Sequence, residues 1–128
     1  MSRWRWVGEA VVVAVHDEQL AEHGGATGVR DLALLQSALA RPKNLAAYGS
    51  PDIADLAAAY AYGITKNHPF IDGNKRTALL VANIFLLDHG HDIGADDADL
   101  LAVMLRVSDG AMKEKQFAEW LRRNIVRA

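Results

Sequence analysis

Three observations predict an all-α domain. Apolar residues recur at helical spacing in segment after segment, strand-type alternation is scarce, and the polar stretches between segments carry residues that start and stop helices. Of the 128 residues, 51% are apolar and 23% charged, a balance that argues against disorder. A chain of this length suits one domain over residues 1–128, burying about two-thirds of the surface its unfolded chain exposes.

Each element has its own signal. Val11 to Leu20 reads as a first helix that ends near Gly24-Gly25, where glycine takes the left-handed conformation. Gly28-Val29-Arg30-Asp31 reads as a turn, with Asp31 capping a second helix that carries Leu32, Leu34, Leu35 and Leu39. Arg41-Pro42-Lys43-Asn44 should stop it, because proline disfavours helix in the residue before it. Asn44 to Gly49 is then long enough to act as a flap, with Arg41 and Lys43 beside it to help hold a target or nucleotide. Ser50-Pro51-Asp52 supplies a cap, a proline for the first helical position and an early acid for a third helix running from Ile53 to about Asn67. A fourth spans Gly73 to Asp88, and its apolar runs predict the buried middle of a bundle. Asp96 and Asp99 open a fifth, and Phe117, Trp120, Leu121 and Ile125 mark one face of a sixth. A short amino-terminal strand between Trp4 and Val15 is the exception left open. The expectation is a compact six-helix bundle.

Composition excludes several function classes. Without cysteine there is no disulfide, thiolate nucleophile or cysteine-ligated metal. A net charge of −2 disfavours a protein built to grip nucleic-acid phosphates, so no direct nucleic-acid binding is expected. Trp4, Trp6 and the arginines near them are read as packing or partner contact. The run Val11 to Val15 is too brief for a signal peptide, and no stretch approaches the roughly 18 apolar residues of a membrane span. A soluble cytoplasmic protein without membrane contact is the expectation.

One segment carries chemistry: His68-Pro69-Phe70-Ile71-Asp72-Gly73-Asn74-Lys75-Arg76-Thr77. It joins the third helix to the fourth. Pro69 keeps His68 out of helical geometry, so the imidazole is presented from a loop. Phe70 and Ile71 can anchor that loop. Gly73 and Asn74 open a helix whose first turn leaves backbone N–H groups without internal partners, an anion site to which Lys75 and Arg76 add full charge. A potential base, a carboxylate suited to a hard cation and a polyphosphate cradle therefore lie together, the parts that phosphoryl or nucleotidyl transfer needs. Each residue also has a plainer explanation. A loop histidine is often solvated, Asp72 could cap the helix, and Gly73 could merely permit a tight turn. Two cations against a helix dipole fit that plain reading badly, and a bound anion would offset them. Residue chemistry alone leaves a phosphate site and a structural loop both standing, with no substrate named.

The same ten residues resemble the signature of the Fic/Doc family, His-Pro-Phe-x-Asp/Glu-Gly-Asn-Gly/Lys-Arg. Lys75, where nucleotidyl-transferring members have glycine, places the likeness with the Doc ("death on curing") toxins of type II toxin–antitoxin systems. It extends upstream through His16, Gly24-Gly25, Gly28 to Asp31, Leu34 to Leu39 and Arg41-Pro42, and downstream along the apolar helix. The resemblance implies a Fic/Doc-like fold over the whole chain. It implies that His68 takes the proton of a target hydroxyl, that Asp72 holds Mg2+ against ATP, and that Gly73, Asn74, Lys75 and Arg76 bind the phosphates. It further implies a protein kinase that moves the γ-phosphate of ATP to a threonine of elongation factor Tu, arrests translation, and is neutralised by a Phd-type antitoxin. Leu79 stands where Fic proteins have a second arginine, and both departures fit a nucleotide lying reversed, its γ-phosphate near the acceptor. The inhibitory motif carried within many Fic chains is absent from this sequence, so inhibition by a separate antitoxin is expected.

Other candidates are weaker. His89-Gly90-His91-Asp92 reads as a solvated turn rather than a metal site. His16 and His23 share a helix face and read as packing residues. Gly73-Asn74-Lys75-Arg76-Thr77 lacks the earlier glycine of a Walker A loop. Two alternatives to the kinase remain: AMP transfer to a protein hydroxyl by the same fold, and a non-catalytic helical module that binds a partner or anion.

Overall fold

The structure is a computed structural model describing residues 3–128. Its described residues form six helices: α1 (Glu9–His23), α2 (Leu32–Tyr48), α3 (Ile53–Asn67), α4 (Asn74–Leu87), α5 (Asp97–Ser108) and α6 (Glu114–Asn124). Two three-residue strands, β1 (His91–Ile93) and β2 (Ile125–Arg127), pair antiparallel with His91 opposite Arg127. No helix among the described residues is long and apolar enough to cross a membrane.

The centre of the bundle is α3, which packs against α2, α4 and α6. Its buried face is built from small residues, Ala54, Ala57, Ala58, Ala59 and Ala61, with Leu56, Tyr60 and Ile64 between them. Small side chains let neighbouring backbones come close. At Gly63 a Cβ would sit 3.2 Å from the Cα of Ala38 in α2, so glycine is what that crossing accepts. Next to it, α4 buries Ala78, Val81, Ala82, Phe85 and Leu86 but leaves Leu80 and Leu87 about half exposed. The helix with the longest run of large apolar residues is thus less enclosed than the alanine-rich one.

Two sequence expectations fail along α2. The helix runs through Pro42 to Tyr48, so Asn44 to Tyr48 form its last turns and not a flap. Proline removes the hydrogen bond to the Ala38 carbonyl, a cost of about 3 kcal/mol. Burial of Ala38, Leu39 and Pro42 itself in the bundle offsets that loss. Arg41 is spoken for as well: its guanidinium pairs with Glu114 of α6 and lies 5.5 Å from the Tyr62 ring. Ser50 and Pro51 fall outside α3, whose cap is Asp52. Ile125 leaves the face of α6 and takes extended geometry, paired with Ile93 across the small sheet.

The short strand considered for the amino terminus lies instead at these two sites, and residues 4–8 run without regular structure over the bundle. They are well anchored. Trp4 and Trp6 each place a ring 6.0 Å from Phe85, and Val7 N–H donates to the Tyr60 hydroxyl at 2.9 Å. Burial pushes that phenol up to about 12. His89 is bound into the same region, its Nδ1–H donating to the Phe85 carbonyl at 2.7 Å and its Nε2 accepting from Arg5 N–H at 3.0 Å.

The start of α3 is fixed by charge. Asp52 and Asp55 form a reciprocal capping box, and Arg122 of α6 donates to Asp52 at 2.7 Å and to Asp55 at 3.0 Å. The Arg122 guanidinium holds the Asp52 carboxyl down from 3.8 to about 2. A carboxylate with a lowered folded-state pKa stabilises the fold above its unfolded value, and that contribution is lost as pH falls through the folded value. Asp52→Asn keeps a capping side chain but gives up the ion pair. Urea unfolding should therefore show the wild type more stable than Asp52→Asn near neutrality, with the gap closing between about pH 4 and pH 2. An equal gap at both ends of that range contradicts the assignment.

Candidate active site

The loop between α3 and α4 is built from beneath. Phe70 is fully buried and stacks on the ring of His16 from α1, centroids 3.8 Å apart and planes within 8°. His16, itself 1% exposed, donates Nε2–H to the carbonyl of Asp72 at 2.8 Å. The segment after α1 pairs with the same loop. Arg30 and Asp31 N–H both donate to the Pro69 carbonyl, and Ile71 N–H donates to Gly28 O at 3.1 Å. Arg30 then folds its guanidinium over the end of α3, donating to the carbonyls of His68 at 2.8 Å and Asn67 at 3.0 Å. A cation at a helix C-terminus satisfies orphan carbonyls and opposes their partial charge.

His68 ends α3 in left-handed geometry, φ 53° and ψ 51°, and no other non-glycine residue among those described has positive φ. Such a conformation costs about 1–2 kcal/mol in a residue with a Cβ. The surrounding hydrogen bonds hold it there, and the side chain emerges exposed at the surface. Its Nδ1 lies 3.0 Å from the amide nitrogen of Asn74. Asn74 is 5% exposed and also closes on the Phe70 backbone, accepting from its N–H and donating to its carbonyl, both at 3.0 Å.

Helix α4 starts at Gly73, left-handed at φ 75° and without a side-chain cap. The N–H groups of its first turn therefore point out of the helix without intrahelical partners. Asp72 does not cap α4. One carboxylate oxygen accepts from Gly73 N–H at 2.8 Å, the other lies 3.4 Å from Ala26 N–H, and the side chain is exposed. Lys75 and Arg76 have no ion-pair partner among the described residues.

All six residues singled out by sequence border one cleft: His68, Asp72, Gly73, Asn74, Lys75 and Arg76 line a cavity of about 410 Å³. Leu101 and Leu105 of α5 form its apolar wall. A second cavity of about 440 Å³ continues past Arg76, sharing Gln19, His23 and Leu101 with the first. Leu79, Leu80, Ile93 and Leu100 line it.

Gln19 is the residue that sequence reasoning missed. It is 3% exposed, and its Nε2 has no hydrogen-bond partner among the described residues. That donor lies against Gly73, where an added Cβ would collide with it. An unpaired buried donor costs about 1–3 kcal/mol. Here it sits among further donors, the α4 N–H groups and two cations, so an anion is the partner that this end of the helix calls for. Gln19 lies one turn beyond His16 on α1, but no local motif marks it. Arg30 appeared in the sequence only as part of a turn.

Comparison with known proteins places the chain. The model of the Fic/DOC family matches residues 6–86, so the chain belongs to that family. It is 28% identical over 120 residues to the protein kinase doc of Escherichia phage P1, covering 93% of this chain and 94% of that protein. It is 43% identical over 76 residues to the toxin Doc of Mycolicibacterium smegmatis, covering 57% of this chain and 58% of that one.

The close approach of Gln19 to Gly73 makes a direct prediction. Gly73→Ala must accommodate a Cβ both at positive φ and against the Gln19 amide, so chemical denaturation should show a loss of about 1–3 kcal/mol. Gly90→Ala, also at positive φ but with open space around it, should lose less. Equal losses would remove the packing argument.

Proposed function

We propose that this chain is a Doc-type toxin kinase that transfers the γ-phosphate of ATP to a threonine hydroxyl of elongation factor Tu in the cytoplasm. A Phd-type antitoxin would neutralise it. The observation that carries the reading is the uncapped start of α4, where Lys75 and Arg76 stand unpaired beside an exposed imidazole. Kinship with a protein named as a kinase and another named as a toxin supports it.

In this reading the phosphates lie on the N–H groups of Asn74, Lys75 and Arg76, with the two cationic side chains stabilising charge on the transferring group. His68 takes the proton of the threonine hydroxyl, the oxygen attacks the γ-phosphorus, and the bond from that phosphorus to the β,γ-bridging oxygen breaks. ADP leaves, and the imidazolium returns its proton to solvent. The Asp72 carboxylate suits Mg2+ held jointly by one acid and substrate phosphates, because its exposed oxygens are bound only by single N–H groups. Mg2+ bound there would neutralise phosphate charge.

The position of the second cavity supports a reversed nucleotide. It extends past Arg76 with leucine and isoleucine on its apolar side, and Glu22, Asp92 and Asp97 border it along with His23 and Arg76. Acidic residues repel phosphates but tolerate a neutral nucleoside. A nucleoside there leaves the terminal phosphate nearest His68.

ATP labelled at the γ- or the α-phosphate, incubated with bacterial extract, separates the hypotheses. The kinase transfers γ-label only, an AMP transferase transfers α-label, and a binding module transfers neither. His68→Ala should lower transfer by about 10²–10⁴-fold while leaving the fold intact, the usual range for a general base. Undiminished transfer by His68→Ala would reject the base assignment.

A further inference from the structure

The hydrogen bonds around Asn74 determine where the proton sits on His68. Phe70 N–H can only donate, and it meets Asn74 Oδ1. The Phe70 carbonyl can only accept, and it meets Asn74 Nδ2. The amide is thus fixed in one orientation, and the second hydrogen on Nδ2 points at His68 Nδ1, 3.0 Å away. Nδ1 must accept. A neutral imidazole carries one N–H, so that hydrogen is on Nε2.

A ring in this form is a poor base toward the cleft. Nε2 already holds a hydrogen, and the lone pair of Nδ1 is committed to Asn74. We propose that Asn74 is a positioning residue that keeps His68 disarmed in the ligand-free protein, and that a polyphosphate at the start of α4 arms it. The phosphate oxygen accepts the Nδ2 hydrogen and releases Nδ1. The ring hydrogen then passes through solvent from Nε2 to Nδ1, the ring stays neutral, and the Nε2 lone pair faces the target hydroxyl. Asn74, His68, Lys75 and Arg76 line the same cavity, so a phosphate held by the cations enters the space that the amide borders. This inference rests on the phosphate-site reading above.

The test is the ring ¹⁵N spectrum of His68 in the full chain, recorded by long-range ¹H–¹⁵N correlation at a pH where the ring is neutral. Free protein should give a pyridine-type Nδ1 and a pyrrole-type Nε2. Saturation with Mg2+ and the β,γ-imido analogue of ATP should invert that pattern. A pyrrole-type Nδ1 in the free protein overturns the proposal, as does an unchanged pattern with analogue bound. Binding is followed separately by calorimetry. Its absence defeats the phosphate-site reading and the arming step with it, while the free spectrum still decides the resting tautomer. Asn74→Asp, nearly isosteric, offers an acceptor where Asn74 offers a donor, and should show the inverted pattern without nucleotide. The free-protein pattern of the wild type retained in Asn74→Asp counts against Asn74 as the cause.

Discussion

One buried carboxamide closes the loop on which the site depends. Asn74 bridges the two sides of Phe70 and reaches His68, while Phe70 lies flat on His16 below. A left-handed histidine followed by proline would not hold its geometry in a free loop. It holds here because the backbone on either side is pinned, by Arg30 at the end of α3 and by His16 at Asp72. The imidazole position is therefore a property of α1 and the 25–31 segment as much as of the ten-residue motif.

Charge placement follows a simple division. Arg41 pairs with Glu114, and Arg122 joins Asp52, Asp55 and Glu119, so these cations fasten helices together. Lys75 and Arg76 stand at the positive end of α4, where the dipole disfavours them, and beside the buried donor of Gln19. Donors and positive charge with no acceptor bonded to them are costly in an isolated fold and useful in an anion site. The net charge of −2 conceals this local excess, which is why composition by itself says nothing of phosphate.

Much of the architecture was legible in the residues. Asp31 and Asp96 accept the hydrogen bonds that their positions before helices imply, and the boundary at His68-Pro69 follows from proline sterics. The failures share a cause. Pro42 continues a helix because tertiary burial outweighs its local penalty, and α3 became the centre because alanines pack backbones closely without raising hydrophobicity. The family motif brought all six candidate residues to one cleft. What it could not show was Gln19, or the clamp formed by Arg30, because contacts between residues tens of positions apart leave no local pattern.

Phosphate held where α4 begins is the central requirement of the proposed chemistry. Titrating ¹⁵N-labelled protein with Mg2+ and ATP, and following every backbone amide, tests that most directly. The amide resonances of Asn74, Lys75 and Arg76 should move furthest and downfield, as their N–H groups donate to charged oxygens. Saturable shifts clustered elsewhere, with those three amides unmoved, would contradict it.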